Sequence, residues 1–416
     1  MMICRSRVAL LVVVTLAAGT ARARADVITD WNAIMVTTVS GQNPFAQARL
    51  AAIMHLAVFE GVNAITGDHS SFLQTPLVVP LPASAEAAAV AAAHRVLLNY
   101  FPASISVLDA ARAASLAAIA DGQAEANGVA VGEAAAAALI ALRSSDGSVP
   151  PAFHLPSNAD PGEWQLTPSC PTAGGVLAHW QNVTPFGIER AEQFRSAPPP
   201  PLWSRRYTRD FNEVKSVGAA NSALRPPHLA DAARFYAVVL AVATWNPAAA
   251  QVSIAQANGL SFNARLFALL NMAMSDALVS VMETKYAYNF WRPETAIRDA
   301  HLDNNSRTDP DPEWQPFIVA PCFPSYGSAH AAASYAARLV AEALLGDDDI
   351  RVTLSNPAAP GLVMEYTAFE EITEDIDDAR VYGGIHFRFD QRAGRVQGRR
   401  IGTWVIQHNL RPRAAR

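Results

Sequence analysis

An all-α fold is what this 416-residue sequence predicts, and three observations predict it. Apolar side chains recur at i, i+3, i+4 and i+7 over most of the chain, alanine-rich segments follow capping residues, and alternating β-branched strand patterns are nearly absent. With 51% hydrophobic residues, 17% charged residues and three cysteines, the chain is not disordered, collagenous or a disulfide-stapled mini-fold, and it can build a large core.

Residues 1–25 read as a secretory signal peptide: Arg5 and Arg7 precede an apolar run from Val8 to Ala18, and Ala23-Arg24-Ala25 supplies a cleavage site. The expected mature protein is therefore exported, periplasmic or secreted, and begins near Asp26. The leader takes four arginines with it, so the formal charge moves from −5 to −9, a surface that does not seek nucleic acid. Export permits a disulfide; Cys170 and Cys322 are left to pair, and free buried thiols fit equally well. Helical spacing then runs over 45–66, 84–100, 104–126 and 130–143. Between 146 and 203 prolines, glycines and tryptophans replace any sustained period, so this stretch reads as an ordered excursion that could wall a pocket. Helical spacing returns over 228–245, 248–258, 261–288, 328–345 and 391–409. No flexible linker divides the two blocks, so residues 26–416 read as a single domain. No apolar run after the leader reaches the roughly 20 residues of a membrane span, so no transmembrane segment is expected. Association into homo-oligomers is left open.

Candidate chemistry concentrates between 285 and 386. The chain has 30 arginines and two lysines, which makes Lys285 in KYAYNFWRP conspicuous; Arg292 follows seven positions later, two helical turns along one face if the helix continues, and Pro293 ends the turn. In FPSYGSAHAAASYAA a turn delivers Ser328, Ala329 and His330 to the start of an alanine-rich helix, where free N–H groups suit an anion and where Ser328 would equally serve as a cap. In ARVYGGIHF, Arg380 precedes His386 by six residues, with Gly383 and Gly384 bending the chain between them. The other eight histidines have no partner pattern and read as structural, and the acidic stretch from Asp303 to Asp311 reads as a solvated turn rather than a calcium loop.

Lys with Arg seven on, Ser-x-His at a helix start, and Arg with His six on, in that order, resemble the three-part signature of the vanadium-dependent haloperoxidase and type 2 phosphatidic acid phosphatase superfamily. The strings NFWRPETAIR, FPSYGSAHA and VYGGIHF are most similar to its exported bacterial haloperoxidase-like branch. The resemblance implies that superfamily's helical bundle and a vanadate or phosphate held by Lys285, Arg292, Ser328, the Ala329 N–H and Arg380. It also implies His386 as ligand to vanadium or nucleophile to phosphorus, and His330 as acid and base. Tetrahedral oxyanions suit such a set, because arginines offer planar paired donors and lysine a compact charge. Two enzymatic readings follow. One is a haloperoxidase that takes hydrogen peroxide and halide at vanadate, with Lys285 polarising the peroxide. The other is an acid phosphatase that hydrolyses phosphate esters through a phosphohistidine and needs no vanadate. A non-catalytic helical binding protein is the third. The chain departs from the pattern at Gly327, Ala329, Ala379 and Met282, and the position expected near the halide is Phe323.

Overall fold

The computed structural model describes residues 25–347 and 349–413, so the predicted leader lies outside the described residues but for Ala25. The described chain is mostly helical: α1 (Val27–Val39), α2 (Pro44–Thr66), α3 (Ala85–Tyr100), α4 (Ile105–Leu116), α5 (Gln123–Leu142), α6 (Arg205–Val217), α7 (Pro227–Val238), α8 (Ala241–Ala255), α9 (Leu260–Tyr288), α10 (Pro293–Arg298), α11 (Ala329–Leu345), α12 (Phe369–Tyr382) and α13 (Arg388–His408). A hairpin of β1 (Val352–Ser355) and β2 (Val363–Tyr366), paired Val352 to Tyr366, is the one sheet among the described residues.

Helix α9 is the axis of the core. It is apolar nearly all round, with Leu266, Phe267, Leu270, Met274 and Val281 buried, and α2, α11 and α13 pack against it. Three helices, α2, α5 and α9, are long and apolar enough by composition to cross a membrane, which corrects the expectation that no such stretch exists. In α2 and α9 that surface is buried within the protein, 89% and 94% of it, against 39% in α5.

Two helix pairs meet backbone to backbone. In α5 a Cβ added at Gly128 or Gly132 would lie 2.2 Å from the Ser84 or Ala88 carbonyl oxygen of α3. In α13 a Cβ at Gly394 or Gly398 would lie 2.4 or 2.2 Å from the Ser328 or Ala332 carbonyl, residues that begin α11. Every fourth residue is glycine on one partner and small on the other, so the axes close to backbone contact.

Several boundaries differ from the sequence expectation. Residues 104–126 and 130–143 break instead at 117–122, where Gly122 adopts φ 142°, and α5 runs unbroken through Glu133. Pro247 sits inside α8; the break falls at Val239 and Leu240, where the chain turns by 103°. Helices α1, α6, α10 and α12 were not anticipated, and Pro293, expected to end a turn, begins α10. The excursion at 146–203 is ordered, with two short 3₁₀ turns at Ala178–Asn182 and Ala191–Phe194. Buried Asp276 of α9 accepts the N–H groups of Phe186, Gly187 and Ile188 at 2.6, 2.6 and 2.9 Å, and a Cys170–Cys322 disulfide ties the excursion to the loop before α11. Of the two states left open for these cysteines, the bridge is the one observed.

Candidate active site

Four segments converge on one small cavity. The last turn of α9 brings Lys285, fully buried. Asn289 then adopts the left-handed conformation (φ 43°) and ends the helix, so Lys285 and Arg292 do not lie along one helical face; Arg292 is delivered from the N-cap of α10. The loop 323–328 supplies Phe323 and Ser328, and Ser328 caps α11 by accepting the Ala331 N–H at 3.3 Å. Arg380 comes from the end of α12. Gly384, at φ 80° and with a Cβ position only 2.3 Å from the Gly218 carbonyl oxygen, makes the turn that places His386 before α13.

The cavity encloses about 80 Å³. His330, Arg380, His386 and Ala329 stand in its wall with Pro44, Phe45, Leu240, Ala241, Leu278 and Phe323; Lys285, Arg292 and Ser328 are buried behind that wall. Lys285 Nζ donates to the Pro324 and Ser325 carbonyls at 2.9 and 2.8 Å. Arg292 donates from Nε to the Phe323 carbonyl at 2.8 Å and from Nη1 to the Ile385 carbonyl at 2.9 Å, with Nη1 also 3.2 Å from His386 Nε2. Arg380 Nη1 donates to the Tyr236 carbonyl at 2.8 Å, and the Tyr236 ring stands edge-on to His330. The Phe323 ring centre lies 5.2 Å from Lys285 Nζ and 5.0 Å from the Arg292 guanidinium carbon.

Asp390 is the partner the sequence reading missed. Its Oδ2 lies 2.8 Å from His386 Nδ1, accepts the Ser325 hydroxyl at 2.6 Å and accepts the Phe387 N–H at 3.1 Å. The i,i+4 spacing from His386 across a helix start was the available signal. With Nδ1–H donated to Asp390, the His386 lone pair is on Nε2.

Electrostatics set the chemistry of the site. Lys285, Arg292 and Arg380 are buried, and one carboxylate, Asp390, acts on Lys285 and Arg292. Burial pushes Lys285 well below its usual range, Arg292 down to about 9 and Arg380 down to about 10. Burial raises Asp390 to about 6, opposed by the Ser325 hydrogen bond and the nearby cations. His386 is held well below its ordinary value by burial first and then by Arg292, Lys285 and Arg380; His330 is lowered by burial and by Arg380. Burial disfavours the charged form of both imidazoles, and three basic side chains, Lys285, Arg292 and Arg380, are gathered here against one carboxylate. Arg292 Nη2, Arg380 Nε and His330 Nε2 are buried without a hydrogen-bond partner. Unpaired buried donors beside unbalanced positive charge are costly unless an anion accepts them. A tetrahedral oxyanion, vanadate or phosphate, fits this donor set, since several oxygens can take these hydrogens.

The fold and these residues define a helical-bundle protein with a buried oxyanion-type pocket. Residues 265–414 match the family model described as the VCPO second helical-bundle domain. A bacterial vanadium-dependent iodoperoxidase structure superposes with a TM-score of 0.76 at 25% identity, covering 92% of this chain and 95% of that one. Holo and apo structures of a bacterial vanadium-dependent chloroperoxidase give TM-scores of 0.70 and 0.72 at 16% identity, each covering 89% of this chain and 93% and 95% of theirs. No curated protein matches the chain. The match over residues 265–414 and the likeness of the fold support the vanadium haloperoxidase superfamily that the three motifs resemble.

Proposed function

We propose that the protein is an exported, vanadium-dependent haloperoxidase-like enzyme that oxidises halide with hydrogen peroxide. The observation that carries this reading is the gathering of Lys285, Arg292, Arg380, His330 and His386 at one site, where Arg292 Nη2, Arg380 Nε and His330 Nε2 are buried without hydrogen-bond partners beside an 80 Å³ cavity. Vanadate, when bound, supplies a Lewis-acidic pentavalent centre at which peroxide becomes electrophilic. His386 Nε2 would hold that centre, with Asp390 fixing the imidazole through Nδ1–H. Arg380 and Ala329 in the cavity wall, with Arg292, Ser328 and Lys285 packed behind it, would hold the oxygens of the anion through their N–H and O–H donors and charge. His330, neutral and beside the cavity, takes a proton from incoming peroxide and returns it to the departing oxygen. The apolar walls, Phe45, Leu240, Leu278 and Phe323, exclude water and favour small reactants such as peroxide and halide over the alcohol of a phosphate ester.

The test adds vanadate to purified protein and follows both activities. Peroxide- and halide-dependent halogenation should appear while phosphate-ester hydrolysis is suppressed; hydrolysis without halogenation would make the protein a phosphohistidine phosphatase. His386→Ala should lose bound vanadate, His330→Ala should retain it but lose turnover, and Arg292→Ala or Arg380→Ala should weaken it by about 1.5–3 kcal/mol each, the range for charge-assisted hydrogen bonds.

A further inference from the structure

Helix α12 carries three aspartates ahead of Arg380, and each ties the helix to a different neighbour. Asp378 accepts from Arg388 Nη1 of α13 at 2.6 Å, Asp377 from the Tyr335 hydroxyl of α11 at 3.0 Å, and Asp375 from the Tyr366 hydroxyl of β2 at 2.9 Å. The third tie does not stop at β2. The Tyr366 oxygen lies 2.6 Å from the Tyr236 hydroxyl of α7, and because Tyr366 gives its one hydrogen to Asp375, Tyr236 is the donor between the two phenols. Tyr236 in turn offers its main-chain carbonyl to Arg380 Nη1 at 2.8 Å and sets its ring edge-on to His330, with 6.0 Å between ring centres. The route therefore leaves α12 at Asp375, passes through β2 and α7, and returns to α12 at Arg380.

Burial makes this route exacting. Tyr236 is fully buried, and among the described residues its hydroxyl bonds to Tyr366 alone. A buried phenol that loses its acceptor either stays unpaired or turns to find another, and both cost free energy. Turning the Tyr236 ring would change the edge it presents to His330 and load the main chain that holds Arg380. Helix α7 ends two residues later, at Val238, and Leu240 and Ala241 just beyond it stand in the cavity wall. The hairpin that brings Tyr366 adds no residue to that wall.

We propose that Tyr366 is a positioning residue of the oxyanion site: by accepting the Tyr236 hydroxyl it fixes the carbonyl that aims Arg380 and the ring that braces His330. The proposal rests on the reading of the cavity as an oxyanion site. Its signature is an inverted order of effects, in which the phenol farther from the cavity matters more than the nearer one. Removing the Tyr236 hydroxyl leaves Tyr366 still donating to Asp375, so no buried donor is stranded. Removing the Tyr366 hydroxyl strands the Tyr236 hydrogen. Removing both hydroxyls strands nothing on α7, so the second substitution repairs the damage of the first.

The experiment measures vanadate and, separately, phosphate binding to the full-length protein by calorimetry, with urea unfolding of each variant alongside. Tyr366→Phe should weaken both anions about tenfold, the effect of one stranded buried donor, while Tyr236→Phe should stay within about twofold of wild type and the double variant should return to the level of Tyr236→Phe. A purely structural tie would lower the stability of Tyr366→Phe and leave the affinity of its folded fraction unchanged. That result overturns the proposal, and so does a double variant that binds no more tightly than Tyr366→Phe. Wild type that binds neither anion overturns the oxyanion reading and this proposal with it; wild type that binds, with Tyr366→Phe binding equally well, overturns the positioning role alone.

Discussion

Helix α3 begins Ser84-Ala85-Glu86-Ala87-Ala88, and helix α11 begins Ser328-Ala329-His330-Ala331-Ala332. Each serine caps its helix through the third residue on, at 3.1 Å to Ala87 N and 3.3 Å to Ala331 N, and each helix lies against a partner whose glycines touch its carbonyls. The packing device is shared, but the chemistry is not. In α3 the helix supplies its own anion: Glu86 sits in the first turn, exposed, and accepts the Ser84 hydroxyl at 3.0 Å. In α11 the first turn holds no acidic residue, the cap serine is fully buried, and His330 replaces the glutamate. A helix start carries partial positive charge. Where the sequence provides a carboxylate, that charge is satisfied locally; where it withholds one in a buried setting already crowded with arginine, the place is kept for an outside anion.

The sharpest way to break this comparison is to separate the helices in each pair. Gly132→Ala and Gly398→Ala each push a methyl onto a carbonyl oxygen 2.2 Å away, and both should destabilise the fold by about 3 kcal/mol, read from urea unfolding. The folded fraction of Gly398→Ala should also bind vanadate more weakly, and that of Gly132→Ala should not. Equal loss of vanadate in both would show that the site depends on the whole bundle rather than on the α11/α13 pair.

A second test concerns buried imidazoles away from the site. His55 of α2 is fully buried, stacked on Phe267, with Nε2 3.0 Å from Asn32 Oδ1, and burial lowers its pKa to about 3. Between pH 6.5 and 3 the unfolded chain binds a proton here that the folded chain refuses, so the stability this site contributes is complete above 6.5 and falls as the pH drops, approaching about 1.4 kcal/mol per pH unit. Over two units the loss is about 2 kcal/mol. His55→Gln should flatten the acid limb of a stability–pH curve by that amount while leaving vanadate binding unchanged. An unaltered slope would assign the acid sensitivity to the site histidines instead.

The smallest expected effect is at the caps. Ser84→Ala and Ser328→Ala should each cost about 1 kcal/mol of stability, measured by thermal or urea unfolding. Ser328→Ala alone should lower vanadate affinity. If it costs stability without affinity, Ser328 is a cap and nothing more.

The sequence made the chemistry legible and the architecture partly so. Lys285 was conspicuous by composition, but Arg292, Ser328, His330, Arg380 and His386 stood out only through the order and spacing of the three segments together, while the long apolar periods of α2 and α9 declared themselves. Helix α1 was hidden because its residues are β-branched, Val27, Ile28 and Thr29, and its cap, Asp26, stands beside the predicted cleavage site. Helix α12 was hidden by charge, since Glu370, Glu371, Glu374, Asp375, Asp377 and Asp378 dilute a stripe in which Phe369, Ile372, Ile376 and Ala379 are buried. Pro247 misled the boundary between α7 and α8, because one lost N–H inside a buried helix matters less than the turn that Leu240 and Ala241 make to reach the cavity. Asp390 was illegible for another reason: its partners Ser325 and His386 lie 65 and four residues away, and only folding brings the three together.

The glycine contacts between α11 and α13 have a consequence for motion. Where helices are separated by side chains, rotamer changes allow one to slide or tilt a little against the other. At Gly394 and Gly398 no such layer exists, and the carbonyls of Ser328 and Ala332 rest on bare backbone. The N-terminus of α11 and the start of α13, which bears the Asp390 that orients His386, therefore move as one body. The spacing between the helix start and the imidazole is thereby fixed until the two helices part altogether.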